Sequence, residues 1–98
     1  MKRSLILLSF NEIEAAPKII DKIPMSCADE VIAVDGGSSD GTIDFLKSKG
    51  LRVVVQEKRG RGIAFQEGMA ASQGENVVYF SLDGNEAPGD IPKLFEVL

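Results

Sequence analysis

Glu30-Val31-Ile32-Ala33-Val34-Asp35, followed at once by Gly36-Gly37-Ser38-Ser39-Asp40-Gly41-Thr42, is the stretch that decides the fold. Its apolar centre lacks polar alternation, the pattern of a strand covered on both faces. The glycine and serine stretch behind it reads as a turn opening a helix, with Ser39 or Asp40 as N-cap and Gly50 as the residue that ends it. A buried strand that runs directly into a helix is half of a βαβ unit.

The same couple recurs on both sides, roughly every 20 to 25 residues. Apolar runs at Ser4 to Ser9, Leu51 to Gln56 and Asn76 to Leu82 predict three more strands. A first helix is predicted from Ile13, Ala16, Ile20 and Ile23, closed by Pro24. Either Asn11 caps it with Glu14 answering, or a looser turn precedes it with Pro17 in the first turn. The second is favoured, because a proline inside a helix costs about 3 kcal/mol. A third helix is predicted from about Gly62 to Gly74, with Ala64, Gly68 and Ala71 on one small face. Asp90 caps a fourth, whose stripe is Ile91, Leu94, Phe95 and Leu98. The expected architecture is α/β, an open parallel sheet with flanking helices and its loops gathered at the carboxyl ends of the strands.

One domain spanning 1–98 is the expected organisation. Because the apolar stripe of the fourth helix reaches the last residue, the natural chain is expected to continue, and self-association through Leu94, Phe95 and Leu98 is a further expectation. The formal charge is −4, from 11 basic and 15 acidic residues, so nothing in the overall balance draws the chain to nucleic acid. Cys27 is the sole cysteine and histidine is absent, which excludes an intrachain disulfide, a zinc site and Cys-His catalysis. A reducing cytoplasm is the expected setting.

Three loops at the predicted carboxyl edge are candidates for chemistry: Ser9-Phe10-Asn11-Glu12, Asp35 to Thr42, and Asp83-Gly84-Asn85-Glu86. Gly36 and Gly37 allow close backbone approach, and Ser38 and Ser39 supply hydroxyls. The carboxylate of Asp35 ends a buried strand, where it can accept from a base or ribose. Asp83 and Asn85 offer hard oxygens to a magnesium or manganese ion. Lys58, Arg59 and Arg61, with Gly60 and Gly62, can present charge and backbone donors to a diphosphate. Each loop taken alone reads equally well as ordinary turn and cap chemistry.

Together the motifs resemble one family. Leu5-Ile6-Leu7-Leu8-Ser9-Phe10-Asn11-Glu12, the stretch Asp29 to Thr42, Arg59-Gly60-Arg61-Gly62-Ile63-Ala64 with Gly68, and Asp83-Gly84-Asn85 with Asp90-Ile91-Pro92 look like family 2 glycosyltransferases of the GT-A fold. The resemblance covers essentially the whole chain. It implies that Ser9, Phe10, Asn11 and Glu12 line a nucleotide pocket, that Asp35 contacts the base, and that Asp83 stands at the metal-binding D-x-D position. Gly36, Ser38, Arg61 and Gly62 belong to the same expected donor site.

The implied reaction takes a UDP- or GDP-linked sugar and transfers it, usually with inversion, to a hydroxyl or lipid phosphate. A divalent cation would assist. Three departures stand out: Gly36 occupies the place of a frequent second Asp, Asn85 replaces the second acid of D-x-D, and the acceptor half with its general base is expected past Leu98. A lipid acceptor would bring the protein to the inner face of the membrane. The rival reading is a module that binds a nucleotide or nucleotide sugar without transferring it. A dinucleotide oxidoreductase is disfavoured, because its glycine fingerprint belongs after the first strand, where Phe10-Asn11-Glu12 stands.

Overall fold

The computed structural model describes residues 2–56, 60–72, 76–84 and 87–96, with the backbone alone at Arg61. Four strands, β1 (Arg3–Ser9), β2 (Glu30–Asp35), β3 (Arg52–Val55) and β4 (Asn76–Ser81), form one sheet in the order β3-β2-β1-β4. Every pairing is parallel. In the β1–β2 register, Ser4 lies opposite Glu30 and Ser9 opposite Asp35, so the two strands end level at their carboxyl edge.

The two faces of the sheet carry different cores, as strand alternation requires. Leu5 and Leu7 of β1, Ala33 of β2, and Val78 and Phe80 of β4 point to one side. There they meet helices α1 (Ala16–Ile20), α2 (Thr42–Ser48) and α4 (Ile91–Glu96) through Ile19, Ile20, Leu46, Ile91 and Phe95. Ile6, Ile32 and Val34 point to the other side, against Ala64 of helix α3 (Arg61–Ala71). Helix α3 lies so close there that a methyl group at Gly68 would come within 2.9 Å of Ile6 Cγ2.

Pro17 stands in the first turn of α1, as favoured from the sequence, and Ala15 rather than Asn11 is the N-cap. Gly50 ends α2 as predicted, with φ at +78°; its N–H donates to the Lys47 carbonyl and that of Leu51 to the Leu46 carbonyl.

Four expected boundaries are corrected. Helix α1 covers only Ala16–Ile20, leaving out Ile13 and stopping short of Pro24, because turns follow it in which Lys22 N–H donates to the Ile19 carbonyl and Ile23 N–H to the Ile20 carbonyl. Gly41, at φ +99°, is the N-cap of α2 in place of Ser39 or Asp40, because the Asp40 carboxylate also reaches across to the neighbouring loop. Helix α3 ends at Ala71 rather than Gly74: Ser72 is extended and its hydroxyl donates to the Met69 carbonyl. The last helix starts at Ile91 behind a 3₁₀ turn over Pro88–Asp90, so Asp90 belongs to that turn and its N–H donates to the Ala87 carbonyl. Of the apolar stripe proposed for self-association, Phe95 is buried, Leu94 is exposed, and Leu98 lies outside the described residues. No described helix is long and apolar enough to cross a membrane.

Candidate functional site

Strand order locates the site. The chain builds outward from β1 to β2 to β3, then returns to place β4 on the far side of β1. Connections therefore diverge between β1 and β4, and at such a switch point the carboxyl ends of the strands leave a crevice. A cleft of about 290 Å³ opens there, lined by Leu8, Ser9, Phe10, Glu12, Gly36, Gln56, Gly60, Ala64, Ser81 and Asp83. All four strand ends contribute to it.

Alternation decides which strand-end side chains reach the cleft. Leu8 packs with the Ile6 core, on the α3 side of the sheet. Ser81 shares a face with Val77 and Tyr79, again toward α3. Gly60 and Ala64, at the start of α3, form the opposite wall. Asp35, two residues after Ala33, points to the other side and is fully buried. Gly36 brings the backbone of the second loop to the rim. A methyl group there would lie 3.0 Å from Phe10 Cδ1, so the glycine lets the ring sit where it does.

Behind the cleft, the loops after β1 and β2 are tied by side chains bonded to backbone. Asp35 accepts four hydrogen bonds: from the hydroxyls of Ser9 (2.7 Å) and Ser38 (2.6 Å), and from the N–H groups of Gly37 (2.8 Å) and Ser38 (2.6 Å). Asn11, at φ +51°, accepts from Ser39 N–H through its side-chain oxygen (2.9 Å), while its own N–H donates to the Ser38 hydroxyl (2.8 Å). Further along, Glu12 N–H donates to Thr42 Oγ1 (3.0 Å) and Ile13 N–H to Asp40 Oδ2 (3.1 Å). These bonds fix both loops, and of the cleft-lining side chains they use only the Ser9 hydroxyl.

The cleft carries negative charge. The Glu12 carboxyl is raised above its ordinary pKa, first by partial burial and then by the charges of Asp83 and Asp40. The Asp40 carboxyl is lowered, chiefly by the Thr42 hydroxyl and also by backbone N–H groups. Among the described residues no group of three or more acidic or cysteine side chains is clustered as a metal cage. Glu12 and Asp83 are two carboxylates on one cleft, and Asp83 is the kind of single acid that suits a cation also held by phosphate oxygens.

Of the residues singled out in the sequence, Ser9, Phe10, Glu12, Gly36, Gly60 and Asp83 line the cleft. Asn11, Asp35 and Ser38 stand behind it, holding the loops. Gly62 is exposed in the first turn of α3 and is not part of the lining; Arg61 begins that helix. Asn85 lies outside the described residues, as do Lys58 and Arg59. Sequence reasoning passed over Leu8, Gln56, Ala64 and Ser81. Ser81 carries the same signal as Asp35, a polar residue ending an apolar strand, and Gln56 follows β3 in the same way; its amide donates to the Gly60 carbonyl (3.2 Å) and closes that loop.

The family model described as Glycosyl transferase family 2 matches residues 4–98. An undecaprenyl-phosphate 4-deoxy-4-formamido-L-arabinose transferase of Yersinia pestis (strain Pestoides F) is 27% identical over 108 aligned positions, covering 98% of this chain and 33% of that protein. The protein of the same description from Aeromonas hydrophila is 26% identical, covering 95% and 32%. Among solved structures, glucosyl-3-phosphoglycerate synthase of Mycobacterium tuberculosis in complex with UDP superposes with a TM-score of 0.82 at 30% identity, covering 93% of this chain and 37% of that one. The same synthase is also known with Mg²⁺ and UDP, and with Mn²⁺, UDP-glucose and phosphoglyceric acid. The chain thus spans about a third of the length of these relatives.

Proposed function

Because the chain belongs to glycosyl transferase family 2 and has the sheet of a GT-A fold, we propose that it supplies the donor-binding half of a glycosyltransferase, holding a nucleotide-diphosphate sugar in the cleft. The observation that carries this reading is the cleft's position at the β1/β4 switch point, with polar strand-end groups on one wall and the start of a helix on the other. The complexes of the mycobacterial synthase support uridine as the base; guanosine is the alternative.

In this reading Phe10, 41% exposed at the cleft, offers a ring face to the base. Gly36 admits the nucleotide close to the backbone, and the N–H groups at the start of α3, with Arg61, meet the diphosphate. Asp83 holds a magnesium or manganese ion at the diphosphate end, with Glu12 lining the same cleft beside the nucleotide. When bound, the cation neutralises charge that builds on the departing diphosphate. Transfer to a hydroxyl or lipid phosphate with inversion, at the cytoplasmic face of the membrane, completes the proposal; no residue here is assigned as the base that activates the acceptor.

Isothermal titration with UDP, GDP and CDP, each with manganese and with chelator, tests the reading. UDP is expected to bind most tightly, and manganese to tighten it. Absence of binding by every nucleotide under both conditions sinks it.

A further inference from the structure

Gln56 is the first residue past β3, and two hydrogen bonds hold it at the cleft. Its backbone N–H donates to the Asp35 carbonyl (2.8 Å), and its amide nitrogen donates to the Gly60 carbonyl (3.2 Å). Alternation puts its side chain on the α3 side with Val54, while Val55 between them is exposed. Holding the nitrogen at Gly60 leaves the other end of the amide turned toward the second loop. Gln56 Oε1 lies 3.4 Å from the point where a Cβ on Gly36 would stand, and Phe10 Cδ1 lies 3.0 Å from that same point. The amide oxygen and the rim of the phenyl ring therefore converge on the space over Gly36, one from the end of β3 and the other from the loop after β1.

Closing the loop before α3 accounts for the amide nitrogen but not for the direction of the oxygen. A flat ring laid on Phe10 carries its edge to that oxygen. An amide oxygen can only accept, so it selects an edge with a donor at that place. The imino N–H of uracil is such a donor. The equivalent ring nitrogen of cytosine is an acceptor, and cytosine carries its donor on the neighbouring exocyclic amine instead. We propose that Gln56 is a specificity-determining residue of the donor site, its amide oxygen accepting from the imino N–H of a uracil stacked on Phe10. The proposal rests on the donor-site reading above and deepens it by naming the group that selects the base. Gly36 belongs to the same device, because a Cβ there would fill the space on which the oxygen and the ring converge.

The test uses the 98-residue chain with UDP, CDP and N3-methyluridine 5′-diphosphate as probes, each titrated by calorimetry with magnesium present. The parent is expected to bind UDP about tenfold more tightly than either of the others, the scale set by one polar group left without its partner. Gln56→Met keeps the length of the side chain and removes both amide groups. It is expected to lose about tenfold in UDP affinity while CDP affinity holds, so that the preference collapses.

Unchanged UDP affinity in Gln56→Met, or an equal loss of UDP and CDP affinity, makes the residue a brace for its loop and overturns the proposal. A parent that binds CDP as tightly as UDP overturns it too, and in all of these cases the donor-site reading stands. If Gln56→Met does not fold, the parent decides by itself, and equal affinity for UDP and the N3-methyl compound overturns the assignment. A parent that binds none of the three nucleotides removes the donor-site reading and the proposal together.

Discussion

The two faces of the sheet are covered unequally. On one, α1, α2 and α4 bury large side chains, among them Phe80, Phe95, Leu46 and Ile91, each 2% exposed or less. On the other, α3 alone covers the sheet with Ala64 and Gly68, and its outward side leaves Phe65 and Met69 exposed at 37% and 53%. Among the described residues, Glu67 Oε2 of α3 is the buried side-chain oxygen that has no hydrogen-bond partner. The cleft opens on this thin side, where the small start of α3 stands away from the strand ends. The difference teaches a division of labour: bulk on one face carries stability, and small side chains on the other leave room for a ligand.

The sharpest way to break that division is Phe80→Ala. A buried aromatic on the thick face is expected to cost about 3–5 kcal/mol in chemical denaturation, while the fraction that remains folded keeps its nucleotide affinity. Asp35→Ala comes next, at about 2–4 kcal/mol, because the hydroxyls of Ser9 and Ser38 and two N–H groups lose their acceptor. Thermal unfolding checks it; a variant as stable as the parent would mean that the loops do not depend on this carboxylate.

Gly68→Val probes the thin face. The added carbons meet Ile6, and also Tyr79 and Val34 at 3.4 and 3.5 Å from the first of them, so overpacking is expected to cost about 1–3 kcal/mol. An unchanged unfolding midpoint would show that α3 is free to lift from the sheet.

The smallest effect concerns pH. Glu12 has a raised folded pKa, so its contribution is favourable below its unfolded value and is lost as pH rises through the folded one. Asp40 has a lowered folded pKa; its contribution is present above the unfolded value and is lost as pH falls through the folded one. Glu12→Gln should therefore raise stability at neutral pH, by about a few tenths of a kcal/mol because solvent screens a partly exposed carboxylate. In acid the difference should vanish. A gain that persists in acid would assign the effect to packing instead.

Strands were the most legible part of the sequence. Glu30 to Asp35 matches β2 at both ends, and the other three runs agree within one residue at each end, because a strand buried on both faces must be apolar throughout. Helix ends were less legible. Asp40 has the chemistry of an N-cap, and only the proximity of the first loop reveals that its carboxylate serves Ile13 as well. The same limit applied to the site. Loop composition pointed to the carboxyl edge and to Phe10, Glu12 and Asp83, but Asp35 and Ser38 look alike in sequence whether they face a ligand or each other. In the structure Asp35 shares the face of Ala33 and accepts from Ser9, Gly37 and Ser38. Leu8 and Ala64 carry no polar signal, and only the approach of α3 makes them walls of a cleft.

The most direct measurement is nitrogen-15 NMR of the chain titrated with UDP and magnesium, repeated with trace manganese. Shifts are expected to gather at Ser9, Phe10, Glu12, Gly36, Gln56 and Gly60, with paramagnetic broadening centred on Asp83 and the thick-face core at Leu46 and Phe95 quiet. Perturbations centred on the α1, α2 and α4 side, or a spectrum indifferent to nucleotide, would contradict the account.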